Sequence, residues 1–84
     1  MIYEFDERIE LAALFGPTAK LRPLWFVWKG AKYFIRDVTY YWTTSSGEAV
    51  IHHFSVKDAS GNLFEIGYNA QTLVWKLFKL EAEG

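Results

Sequence analysis

His52 and His53 stand side by side, and imidazole is both the commonest transition-metal ligand and the commonest general base. Neighbouring residues of a strand point to opposite faces. The pair therefore cannot chelate one ion in the usual way, and one ring is expected in or beside the core with the other in solvent. The chain has no cysteine, which removes disulfides, thiolate metal sites and thiol nucleophiles. Acid–base catalysis needs two carboxylates facing one cleft, and nucleophilic catalysis needs a hydroxyl that meets a base and an orienting group. Asp37, Asp58 and Glu65 fall in three different strands or turns, while Thr43, Thr44, Ser45 and Ser46 read as a strand end and its turn. Gly30, Gly47 and Gly61 each occupy a turn alone, without the strand, Gly-rich loop and helix that cradle phosphate. No catalytic residue, cofactor or metal site is assigned, and the chain is not expected to be an enzyme.

Binding is the chemistry that the charges do suggest. Between Gly16 and Arg36 every charged residue is basic, namely Lys20, Arg22, Lys29, Lys32 and Arg36, and Trp25, Phe26, Trp28, Tyr33 and Phe34 are interleaved with them. Small β-barrels hold single-stranded nucleic acid by stacking bases on aromatic rings, worth about 1–3 kcal/mol per base, while Lys and Arg follow the phosphates. Against this stands a formal net charge of -1, short of the basic balance of a dedicated binder. In the plainer use of the same residues, the rings form the core and the cations keep strand edges unpaired. If Lys29 and Lys32 flank a hairpin at Gly30, their charges project together from one end of the sheet and Arg36 joins them.

These residues must be positioned by strands. Turn signals recur at Gly16-Pro17-Thr18-Ala19, Lys29-Gly30-Ala31-Lys32, Thr44-Ser45-Ser46-Gly47, Asp58-Ala59-Ser60-Gly61-Asn62 and Asn69-Ala70-Gln71-Thr72. Between them lie runs rich in Val, Ile, Thr, Tyr, Phe and Trp, which fit a pleated surface. The spacing predicts strands over about 8–15, 21–28, 32–44, 48–58, 63–69 and 73–80. The first has a helical alternative, because Glu10-Leu11-Ala12-Ala13-Leu14 favours a helix by propensity, whereas Ile9, Leu11, Ala13 and Phe15 alternate as in a strand. Pro23 has no amide donor and should lie at an edge or outside the ladder. In the third run Tyr33 and Ile35 share one parity, and Val38, Tyr40 and Trp42 share the other. A β-bulge at Arg36-Asp37 would bring both sets to one face and bend the strand round a corner.

The expected fold is thus all-β: one domain over residues 1–84, a five- or six-stranded antiparallel meander strongly curled or closing to a small barrel. Trp28, Tyr33, Ile35, Phe54, Ile66 and Trp75 are the expected core. Several strands are apolar on both parities, and a second apolar face needs cover. A helical first segment, closure of the sheet or another copy of the chain would supply it, and a two-fold homodimer is the commonest arrangement of identical chains. No stretch approaches the roughly 18–20 apolar residues of a membrane span, and the acidic Met1–Glu10 segment does not read as a secretory signal, so a soluble cytoplasmic protein is expected.

The pattern Phe26-x-Trp28-x-Gly30-x-x-Tyr33-x-Ile35-x-x-Val38-x-x-x-Trp42, followed by Phe54-x-Val56, Phe64-Glu65-Ile66 and Trp75-x-Leu77, resembles a family of short bacterial proteins classed as a domain of unknown function. The resemblance covers roughly residues 21–78 and rests on core aromatics and a turn glycine. It implies a shared fold and carries over no catalytic residue. The resulting expectation is a small interaction module binding protein or, weakly, single-stranded nucleic acid. The alternative is a small-ligand-binding or enzymatic β-barrel.

Overall fold

The computed structural model describes residues 1–17 and 21–82. Six strands follow one another: β1 (Ile2–Leu14), β2 (Arg22–Trp28), β3 (Ala31–Ser46), β4 (Ala49–Asp58), β5 (Leu63–Asn69) and β6 (Val74–Glu81). Each pairs antiparallel with the next, and β6 returns to β1, closing the meander into a barrel. Among the described residues no helix is long and apolar enough to cross a membrane.

The segment with helical propensity is a strand, and it begins at Ile2 instead of near residue 8. Cross-strand charge accounts for the added length. Glu4 lies opposite Lys79, which is itself opposite Glu65 on the other side, and the Lys76 ammonium donates to Asp6 at 3.0 Å. Opposite charges paired across a sheet stabilise it by a few tenths of a kcal/mol each, enough to offset the poor β-propensity of the acids.

Ile9, Phe26, Phe54, Val56, Phe64, Ile66, Trp75 and Leu77 form the buried core. Phe54, Ile66 and Trp75 are there as expected. Trp28, Tyr33 and Ile35 are only partly buried against it, because they sit where the β2–β3 hairpin is covered from one side alone. Phe26 takes the central place instead. It stacks on Tyr33 at 5.2 Å between ring centroids and meets the edge of Phe64 at 5.1 Å. Pro23 is fully buried at a register slip between β1 and β2, opposite Ala13. On the β3 side it lies beyond the ladder, as a residue without an amide donor must.

Two slips shape β3. The register against β4 shifts between Ile35 and Asp37, where a bulge was expected, and again between Val38 and Tyr40. The second extra residue, Thr39, donates its hydroxyl to the Ser55 carbonyl at 3.0 Å. Two slips cancel in parity, so Val38, Tyr40 and Trp42 do not share a face. Tyr41 turns inward against Phe54 at 5.0 Å, while Tyr40 and Trp42 pair on the outside at 5.5 Å.

The β2–β3 ladder is short. It joins Trp25–Trp28 to Ala31–Phe34 around Lys29 and Gly30, which have φ of 52° and 76°, as a two-residue type I′ hairpin requires. Beyond Phe34 the strands separate. From Ile35 onward β3 is laddered to β4 alone, and the barrel has a split on this side.

Candidate binding surface

Trp25 and Phe34 are direct cross-strand partners. Their flanking neighbours Phe26 and Tyr33 face the core, so period-2 alternation turns Trp25 and Phe34 outward. Phe34 is 62% exposed. The Lys32 ammonium lies 4.1 Å from the centre of the Trp25 ring and 5.8 Å from that of Phe34, a cation held over two aromatic faces. Positive charge and exposed aromatic surface coincide here.

The basic residues singled out in the sequence are divided by the fold. Lys32 stays on the outward face, but Lys29 folds over the core-side Trp28, at 5.0 Å from its ring. The two lysines do not project together as expected. Their faces differ because Trp28 and Trp25 have opposite parity on β2, apart from the slip at Leu24 that lies further along. Arg22 stands at the start of β2, and Arg36 lies in β3 beyond the end of the β2–β3 ladder. They border an open cavity of about 800 Å³ whose lining includes Leu14, Leu21, Val38 and Phe54. The Arg36 guanidinium lies 3.8 Å from the carboxylate of Asp37, both largely exposed, a pairing worth little in water. Lys20 lies outside the described residues.

The histidines occupy opposite faces, and neither is in solvent, which corrects the sequence expectation. His52 stacks on Tyr41, whose hydroxyl lies 2.5 Å from Nδ1. His53 lies flat against Trp42, with ring centroids 5.1 Å apart, and is tilted by 35° to Phe78 at 5.6 Å. Gly67 makes room for this outer stack, since a Cβ there would overlap the Phe78 ring. Burial lowers the His53 pKa from its ordinary 6.5, nearby Glu65 opposes that shift, and His52 adds to it.

Thr44 Oγ1 lies 2.8 Å from His53 Nε2, and a Glu65 carboxylate oxygen lies 3.9 Å from Nδ1. A hydroxyl, an imidazole and a carboxylate in sequence have the ingredients of nucleophilic catalysis. However, 3.9 Å exceeds hydrogen-bond reach, and Nδ1 is buried with no hydrogen-bond partner. The imidazole therefore lacks the bond that fixes the tautomer and orientation of a general base. Sequence reasoning missed this cluster because strand register, and not proximity in the chain, brings Trp42, Glu65 and Phe78 to His53. The other acids are kept apart. Asp58 is buried in the β4–β5 turn, where its carboxylate accepts from the Ser60 and Asn62 amides at 2.9 and 3.0 Å.

Comparison with protein-family profiles, with curated proteins and with solved structures returned no match.

Proposed function

We propose that this protein is a small β-barrel binding module that takes single-stranded nucleic acid on the outward face of β2 and β3. The observation that carries this reading is the Lys32 ammonium poised over Trp25 beside the exposed Phe34. Flat rings offer stacking surfaces to bases, and Lys32, Arg22 and Arg36 offer cations to phosphates. Few cations are involved and the net charge is -1, so the affinity is micromolar or weaker.

The test is a titration of a fluorescent single-stranded oligonucleotide at about 50 mM salt, where screening is modest. Binding should weaken with rising salt, with a log–log slope of about -0.7 for each phosphate neutralised. The K32E/R36E double variant should lose binding, and F34A should weaken it by about fivefold or more, in line with one lost stacking contact. A flat titration with the wild-type protein would remove the reading and favour a protein partner. A small-ligand reading draws on a separate observation, the apolar cavity bordered by Arg22 and Arg36. Its lining suits an apolar carboxylic acid, and displacement of a fluorescent fatty acid from wild type but not from an R22E/R36E variant would favour it.

A further inference from the structure

The long free edge of β3 has an unusual composition for a strand left unpaired. Apart from the Trp25–Trp28 ladder at its start, β3 is paired with β4 alone, and no third strand reaches it among the described residues. From Arg36 to Ser46 every residue except Trp42 is exposed. Proteins usually blunt such an edge with Lys, Pro or inward charges. Here Val38-Thr39-Tyr40-Tyr41-Trp42-Thr43-Thr44-Ser45-Ser46 has no charge and no proline. Val38, Tyr40 and Tyr41 are 41%, 67% and 46% exposed, so apolar surface lies beside the unpaired backbone groups.

We infer that this edge is an interface between two copies of the chain, formed by antiparallel pairing of β3 with β3 about a two-fold axis. Three features favour a second copy over an unrelated strand. An uncharged segment laid antiparallel on itself sets no like charges opposite one another in any register. A register centred on Trp42 sets Arg36 of one copy opposite Glu48, in the turn after β3 of the other, and Asp37 opposite the uncharged Gly47, so no like charges stand directly opposite one another at its ends either. The two-fold also repeats Tyr40, Trp42 and Thr44 as one outward row, with Tyr40 opposite Thr44 of the second copy, and continues the aromatic stack across the join. Pairing of this kind satisfies the free backbone groups and covers the exposed rings together.

Sedimentation velocity of the intact chain, from about 1 µM to several hundred µM, spans the range in which a weak dimer forms. The wild type should shift from monomer to dimer. The Y40K/T44K variant sets like charges opposite each other in this register and should remain monomeric while keeping its β-sheet circular dichroism in dilute solution. The absence of native cysteine allows the register to be read as well. In the dimeric range, a T43C variant treated with a short bismaleimide should link to itself in high yield, whereas an R8C variant should not. A wild type monomeric at every concentration would overturn the inference. So would a dimer that survives Y40K/T44K, or one in which T43C fails to cross-link.

Discussion

On β4 every residue except Val50 is buried or half-buried, whereas on its neighbour β3 nearly everything after Ile35 is exposed. Both strands are rich in aromatic and β-branched residues, so composition does not separate them. Pairing does. β4 has a ladder on each side over most of its length, from Ile51 to Lys57 on the β5 side, while β3 is joined to β2 at its first residues and then to β4 alone. A side chain packs where the strand beneath it is braced from both sides. Where the brace ends, the same kinds of residue become a surface available for binding. One side of this barrel therefore carries stability, and the other carries the candidate interfaces.

Substitutions should divide along that line. Leu77 and Phe64 are essentially inaccessible, so Leu77→Ala or Phe64→Ala should cost about 3–5 kcal/mol, a large share of the stability of so small a domain. Tyr40→Ala, by contrast, should cost about 0.5 kcal/mol or less, measured by denaturant unfolding in dilute solution. Equal losses on the two sides would break the distinction.

A smaller effect is expected at the outer stack. Gly67→Ala forces the Phe78 ring from its seat and should cost about 1–3 kcal/mol as an overpacking change. With Phe78 displaced, His53 becomes more exposed, and its pKa, followed by NMR, should rise toward 6.5. An unchanged titration would show that Phe78 is not what shields the imidazole.

The smallest effect is pH-dependent. Folded His53 titrates below its ordinary 6.5 because burial disfavours the imidazolium. The unfolded chain therefore takes up this proton first as the pH falls. The stability associated with neutral His53 is complete above about pH 6.5 and is lost progressively below it, down to the folded pKa. Melting temperatures should fall between about pH 7.5 and pH 5.5, and His53→Gln should flatten that decline, since the amide does not titrate there. A decline of the same size in the variant would assign the effect to other groups.

Much of the fold was legible in the sequence because turn residues and strand composition act locally. The strand between Leu63 and Asn69 follows from the Gly61-Asn62 turn and the alternation after it. The slip at Arg36-Asp37 could be seen because it breaks a run of apolar parity. The slip at Thr39 could not, since it restores parity and leaves no trace in the hydrophobic pattern, and the faces of Tyr40, Tyr41 and Trp42 were misread as a result. Ile2–Arg8 lacked a strand signature because its charges are balanced by Lys76 and Lys79, some seventy residues away. The candidate surface was legible as a basic and aromatic segment. Its division was not, because which lysine lies over which ring depends on the strand parity around one hairpin.

Amide hydrogen exchange, resolved by residue and measured at low and high protein concentration, tests the distinction between the two sides most directly. In dilute solution, slow exchange is expected across β4, β5 and β6, whose amides are paired within the barrel. Along Val38–Ser46, amides directed to β4 should be slow and those directed away from it fast. At high concentration the fast set alone should become protected as the second copy docks. Uniform protection around the whole ring in dilute solution, with no dependence on concentration, would contradict both the open side of the barrel and the interface placed on it.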